Sequence, residues 1–189
     1  MKYQIIYADC PWHYDFGKSS SRYVGDKYEC ITKEGLCSLP VKNIAEDSSV
    51  LFLWITYPKL DWAFDVISSW GFTHKTNAFT WIKTNKKSDS LFWGMGYYTR
   101  SNAEICLLAT RGDTLPRMSH KVHSVIMSPI EEHSKKPDIV RNKIVELFGD
   151  IPRIELFARE QVEGWDAIGY DLDGLDIRQS LEWIALKEC

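Results

Sequence analysis

The chain has 189 residues, 44% of them hydrophobic and 26% charged, which is enough for one domain with a core of its own. Its formal charge of −3 excludes a protein coated in basic residues, although a local basic patch can still meet nucleic acid. No apolar run approaches the length of a membrane span, and Met1-Lys2-Tyr3-Gln4 leads straight into a strand rather than a signal peptide, so the cytoplasm is the expected compartment and no membrane partner is expected.

Tyr3 to Ala8 is predicted as a strand, and Ile5-Ile6-Tyr7-Ala8 is apolar on both faces, as a buried parallel strand requires. Val50 to Ile55 reads as a second buried strand. Pro58 opens a helix to about Trp70, with Leu60, Ala63, Phe64 and Ile67 at helical spacing and Gly71 as its stop. Ala78 to Lys83 and Ile105 to Thr110 are predicted strands. Asp138 to Phe148 is a predicted helix with Ile139, Ile144, Val145 and Phe148 on one side, and Arg153 to Phe157 a last strand. Strands alternating with helices predict an α/β fold, a mostly parallel sheet flanked by helices, in a single domain over residues 1–189. The stretches 84–100 and 111–123 resist this scheme. Both read as long loops, and long loops in compact domains commonly carry function.

The five cysteines, Cys10, Cys30, Cys37, Cys106 and Cys189, contain no C-x-x-C pair, so neither a zinc site nor a redox motif is indicated, and no metal is expected. No G-x-G-x-x-G occurs, which weakens a dinucleotide-binding reading.

The first strand delivers Asp9-Cys10-Pro11-Trp12 at its carboxyl end, where α/β sheets bind ligands. Asp9 is an acceptor when ionised. Pro11 biases Cys10 away from helix, which leaves the carbonyls of that turn as further acceptors. Trp12 offers a flat apolar face. Two acceptors beside a stacking surface suit the exocyclic amine of a planar base. The same four residues also fit an ordinary strand end with a buried tryptophan.

D-C-P-W resembles the Asp-Pro-Pro-Trp signature of the adenine N6-methyltransferases that include the eukaryotic mRNA methylase and many bacterial and phage DNA methylases. Three further blocks follow in that family's order: Gly94 to Glu104 with Cys106 to Gly112, then His133-Ser134-Lys135-Lys136-Pro137, then Arg153 to Arg159 with Gly164-Trp165. The resemblance covers residues 5 to about 171 and is strongest to small phage and bacterial members. It implies a Rossmann-like methyltransferase fold that uses S-adenosylmethionine, in a permuted order that puts the catalytic tetrad first. It implies catalytic roles for Asp9, Cys10, Pro11 and Trp12. The expected cofactor contacts are Asp9, Ser134, Lys136, Glu155, Phe157, Arg159 and Asp171. Strand alternation puts Glu155 and Phe157 on one face; Phe157 is either a cofactor contact or core, and Ser134 and Pro137 also fit a helix start. The chain departs from the family at Cys10, which replaces a proline, and at Ala103, where some members carry a lysine for the cofactor carboxylate. Arg100 and Lys136 are the candidates to replace that lysine. At Tyr170-Asp171 the mRNA enzyme has Asn-Gln, so only Asp171 keeps a ribose contact.

Between Lys75 and Lys121 eight cations face only Asp89, Glu104 and Asp113, a surplus of five positive charges. The expected target contacts are Trp12, Lys86, Lys87, Arg100, Asn102, Arg117 and Lys121, with phosphates positioned by the cations and aromatics such as Trp93, Tyr97 and Tyr98 close by. The expected reaction is methyl transfer to the N6 amino group of adenine in nucleic acid, DNA before RNA, by one chain or by a homo- or heterodimer. The alternative is a non-catalytic nucleic-acid-binding partner of the same fold. Such a subunit typically loses the acid or the aromatic of the tetrad, and this chain keeps both.

Overall fold

The computed structural model describes residues 2–14, 30–132 and 134–187; His133 and Cys189, named above, lie outside the described residues. The strands are β1 (Tyr3–Ala8), β2 (Ala45–Ile55), β3 (Thr73–Asn85), β4 (Ser88–Leu91), β5 (Ala103–Arg111), β6 (Val125–Pro129), β7 (Arg153–Leu156) and β8 (Asp166–Ile168). The helices are α1 (Lys33–Cys37), α2 (Leu60–Ser69), α3 (Ile139–Phe148), α4 (Tyr170–Asp173) and α5 (Ile177–Leu186). One sheet holds all eight strands in the order β4-β3-β5-β2-β1-β7-β8, with β6 on β3.

The α/β architecture is as expected, and the sheet is mixed, with four of its seven strand pairings parallel. β1 with β2, β1 with β7, β7 with β8 and β3 with β6 are parallel. β5 lies between β2 and β3 and is antiparallel to both, and β4 is antiparallel to β3. Every strand except β4 and β5 therefore runs the same way. One rim of the sheet collects the carboxyl ends of β1, β2, β3, β6 and β7 together with the amino end of β5.

β1 shows why its sequence is apolar throughout. Ile6 and Ala8 pack into a core layer shared with Leu36 of α1, Ala63, Val66 and Ile67 of α2, and Ile177 and Leu181 of α5. Ile5 and Tyr7 pack into a second layer, on the other face, with Val140 and Ile144 of α3 and with Trp165. A central parallel strand buried on both faces cannot alternate with polar residues.

Helix phases differ from the sequence expectation. Phe64 is 43% exposed and sets its ring edge-on to His74, while Val66 takes the inward position. The 3-10 turn Tyr57–Lys59 precedes α2, whose buried residues are Ala63, Val66 and Ile67. Ile139 is likewise outward at 48% exposure, and Val140 is buried in its place.

The two stretches predicted as loops also resolve differently. β3 runs on to Asn85 and β4 returns from Ser88, so 84–100 begins as a hairpin with Lys86 and Lys87 at its turn. The stretch 111–123 starts where β5 ends, with Arg111 opposite Ser49 at the far rim of the sheet. Gly112 turns the chain there at φ 61°, and a Cβ on it would fall 2.1 Å from the Asp47 carbonyl oxygen, so both backbone sign and space demand glycine. Among the described residues no helix is long and apolar enough to cross a membrane.

Candidate active site

A cavity of about 1150 Å³ opens at the rim where β1 ends. This exceeds the usual volume for one drug-sized ligand. Its walls come from the strand ends gathered there: Asp9 after β1, Thr56 after β2, Trp81 and Lys83 on β3, Glu104 at the start of β5, Ile130 after β6 and Phe157 after β7. The strand that runs the other way thus contributes its first residues rather than its last.

A charge cluster forms one wall. Lys136 Nζ donates to Asp9 Oδ2 at 2.7 Å and to the Ser134 carbonyl at 3.2 Å, and it lies 3.4 Å from Glu104 Oε2. Glu104 Oε1 accepts from Lys83. Burial pushes the Asp9 carboxyl above its ordinary value, against the pull of Lys136. Burial acts to lower Lys136, but Asp9 and Glu104 outweigh it and hold the ammonium above its usual value. Burial also acts to raise Glu104; Lys136 and Lys83 more than offset this, and its carboxyl sits low. Of the two carboxyls, Asp9 is therefore the one shifted upward, and the two carboxylates hold Lys136 as a cation. Sequence reasoning misses Glu104 as a site residue and treats Lys83 as part of a surface patch. The Ile82–Ala103 and Trp81–Glu104 pairing of β3 with β5 brings them together, and no local pattern announces that register.

The turn after β1 is more committed than expected. The Cys10 carbonyl accepts from the Trp12 N–H at 2.9 Å and the Pro11 carbonyl from the Ile31 N–H at 2.8 Å. Neither acceptor is wholly free, and each keeps one lone pair. Cys10 is itself buried at 4% exposure. Trp12 is not an open stacking platform either. It is 4% exposed, belongs to the core layer of α1 and α2, and donates its indole N–H to the Trp54 carbonyl at 3.2 Å, presenting only part of its ring to the cavity. Trp12→Ala is therefore expected to cost about 3–5 kcal/mol of stability, as truncation of a core aromatic does, rather than only the base-stacking share. Chemical denaturation reads this; a destabilisation under about 1 kcal/mol, far below that range, would return Trp12 to a purely ligand-facing role.

Glu155 shares a side chamber with the other expected cofactor contacts, Asp9, Ser134, Lys136, Phe157, Arg159 and Asp171. Both its oxygens accept from Arg141, at 2.7 and 2.9 Å, in a buried bidentate pair that joins β7 to α3. Its carboxyl borders only this chamber, of about 230 Å³, and is committed to that pair. The alternation expected between Glu155 and Phe157 also breaks. β7 ends at Leu156, Phe157 takes φ 62°, and its ring packs against the layer that holds Ile154 and Leu156, on the face opposite Glu155. Phe157 nonetheless lines the main cavity, as do Ser134, Arg159 and Asp171. Arg159 Nε lies 3.4 Å from Asp171 Oδ2, which brings the strand end and α4 together. Ser134 sits at φ 61° with α3 starting only at Ile139, so it is a cavity residue and not a helix cap.

The expected target cations divide. Lys86 and Lys87 are exposed at the hairpin turn, and Arg100 lies over the Trp93 ring at 4.4 Å. None of the three lines the cavity, so of the two candidates to meet a cofactor carboxylate only Lys136 stands in it. Asn102 uses its carbonyl to accept from the Lys83 N–H, which pins the start of β5 to β3. Arg117 and Lys121 do not belong with them. Arg117 contacts His120, and Met118 between them donates its N–H to the Leu147 carbonyl at the far end of α3. β5 carries the chain away from the cavity before these residues occur.

A mixed α/β sheet, an acid-proline-tryptophan turn at the end of its central first strand, and a cavity holding an aromatic ring, a cation and carboxylates together form a ligand site at the sheet's rim. The MT-A70 family model matches residues 3–171. The type II methyltransferase M.MunI of a Mycoplasma species is 32% identical over 189 residues, covering 90% of this chain and 78% of that protein. The human catalytic subunit METTL3, described as an N(6)-adenosine-methyltransferase, is 25% identical over 179 residues, and an Arabidopsis thaliana MT-A70-like protein is 24% identical over 175. These matches cover about nine-tenths of this chain but only 29% and 24% of the two longer proteins. The chain belongs to the MT-A70 family and, with it, to the S-adenosylmethionine-dependent adenine N6-methyltransferases.

Proposed function

We propose that the cavity at the Asp9 rim accepts S-adenosylmethionine and a nucleic-acid adenine together, and that the nucleic acid is DNA. The observation that carries this reading is the joining of the Asp9–Lys136–Glu104 cluster with Phe157, Arg159 and Asp171 in one cavity. The donor set suits the cofactor. Phe157 supplies an apolar face for its adenine, Arg159 and Asp171 supply hydrogen bonds for its ribose, and Lys136 a positive charge for its carboxylate. When bound, S-adenosylmethionine supplies an electrophilic methyl group on a sulfonium sulfur.

The residues of the chain do the rest. The amino group of adenine is a weak nucleophile because its lone pair delocalises into the ring. Asp9, ionised, accepts one amine hydrogen; the remaining lone pair of the Cys10 or Pro11 carbonyl accepts the other. This favours a tetrahedral nitrogen with its lone pair available, and it meets the positive charge that develops on that nitrogen. Trp12 limits the position of the ring, so alignment supplies much of the acceleration. Lys136 keeps Asp9 oriented until the amine arrives.

DNA is favoured over RNA because the similarity to M.MunI, a type II methyltransferase, extends over most of that protein, whereas the similarity to METTL3 covers less than a third. Transfer of labelled methyl to matched DNA and RNA oligomers tests the choice. Label in RNA alone would reverse it.

Lys86 and Lys87 at the hairpin turn are assigned to phosphates. Reversing both to Glu should weaken DNA binding equally for all sequences, because phosphates carry no base identity. The slope of log affinity against log salt should become shallower by about 0.7–0.9 for each phosphate no longer neutralised. Cofactor affinity should not change. Identical slopes for wild type and double variant would make this pair an ordinary solvated turn.

A further inference from the structure

Between the hairpin and β5 the chain exposes an unusual run of large apolar side chains. Leu91 is 52% exposed, Trp93 70%, Met95 72%, Tyr97 87% and Tyr98 93%. Soluble surfaces rarely leave such a contiguous set uncovered without a use for it. The segment is also built as a compact arm. A Cβ on Gly94 would lie 1.9 Å from the Ser101 carbonyl oxygen, and one on Gly96 2.1 Å from that of Thr99, so the outgoing and returning segments of the arm touch and tolerate no side chain between them. Its base is fixed by the Phe92 N–H donating to the Lys83 carbonyl at 2.8 Å.

Two further features say what covers it. The arm is continuous with the cavity: Phe92, Gly94 and Met95 line the same walls as Asp9. It is also flanked by positive charge, from Lys86 and Lys87 at the neighbouring turn and from Arg100 stacked on Trp93. An apolar, aromatic projection flanked by Lys86, Lys87 and Arg100, beside a cavity with room for a base as well as a cofactor, matches nucleic acid, with bases against the rings and phosphates against the cations. Asp9 is recessed, with a side chain only 28% exposed, so an adenine paired within a duplex cannot reach it. The base must leave the stack.

We propose that the arm 91–98 inserts into duplex DNA beside the target adenine and fills the gap that the extruded base leaves, Trp93 and Tyr97 being the side chains that take the place of the missing stacking. This rests on the assignment of DNA as substrate and names the form of that DNA as duplex. Wedges of apolar side chains between base steps are a general solution to holding such a gap open.

The test uses the methylated position mapped in DNA from cells expressing the wild type. Two oligomer duplexes carry that adenine, one opposite thymine and one opposite an abasic site, where no pair must be broken. Trp93→Ala with Tyr97→Ala should reduce turnover on the paired duplex by roughly 10- to 100-fold, the scale of removing one or two base–aromatic stacks. On the abasic duplex the variant should return to within about 3-fold of wild type, since least unpairing work remains there. Cofactor affinity by titration calorimetry should be unchanged. Equal reductions on both duplexes would overturn the proposal, as would a reduction that tracks dissociation of a dimer by sedimentation, which would assign the arm to contact with a second copy. Wild-type transfer to single strands alone would also overturn it while leaving the methyltransferase reading intact. Absence of transfer to any nucleic acid would instead remove that reading.

Discussion

Asp9→Ala is expected to reduce methyl transfer by roughly 100- to 1000-fold or more, the scale of removing one preorganised group that meets developing charge. Stability should hardly fall. The Asp9 carboxyl is raised by burial despite Lys136, so ionising it is less favourable in the folded protein than in the unfolded chain, and Lys136 keeps Glu104 after the substitution. The melting temperature should stay within about 3 °C of wild type, or rise. The same shift fixes a pH dependence. The ionised form accepts the amine hydrogens, so activity is present above the raised value and is lost as pH falls through it. The acid limb of kcat/KM should therefore lie above the ordinary aspartate range. A limb inside that range, or a variant with near wild-type turnover, would remove Asp9 from the catalytic role.

Lys136→Met is expected to destabilise the fold about as much as truncation of Trp12. Lys136 has an 11% exposed side chain between two carboxylates, and its removal leaves Asp9, among the described residues, with no cation at hydrogen-bond distance and Glu104 with Lys83 alone. Removing one partner of a buried ion pair typically costs about 3–5 kcal/mol, because the remaining charge is left uncompensated. The sign with pH follows. Asp9, orphaned, binds a proton more tightly folded than unfolded, so the deficit should be largest above its raised folded value and should shrink as pH falls through it. Adding Asp9→Asn removes the orphaned charge and should restore part of the stability. Denaturant unfolding of the two single variants and the double variant, at neutral and at mildly acidic pH, reads both effects. A fully additive cycle would deny that the two residues act as a pair.

What is legible in the sequence follows the physics of each region. β1 and its tetrad are readable because a strand buried on both faces admits only apolar residues and must end at the ligand rim. The meeting of Asp9 with Lys136 is foreshadowed by the family resemblance, which puts both at one site. Glu104 and Lys83 are not legible, because they meet through the antiparallel register of β3 and β5 and not through any spacing along the chain. Phe157 falls on the opposite face from the one expected because period-two alternation assumes extended backbone, and its positive φ breaks the count one residue after the strand ends. Nearness in sequence groups Arg117 and Lys121 with Lys86 and Lys87. The nine-residue β5 intervenes, and at roughly 3.3 Å per residue it carries the chain about 30 Å to the opposite rim. For Trp12 the sequence leaves a stacking face and a buried strand-end tryptophan both open, and the side chain folds under the turn into the core.

The N6-methyladenine content of DNA tests the assignment of this cavity most directly. The measurement is nucleoside mass spectrometry of DNA recovered from a host lacking adenine methylation, after expression of the wild type or of Asp9→Ala at equal levels. Wild-type DNA should contain N6-methyladenine at a defined sequence position, and DNA from the Asp9→Ala host should contain none above background. DNA free of N6-methyladenine with the wild type folded and able to bind S-adenosylmethionine, or equal modification by both proteins, would contradict the assignment of this cavity to adenine methylation in DNA.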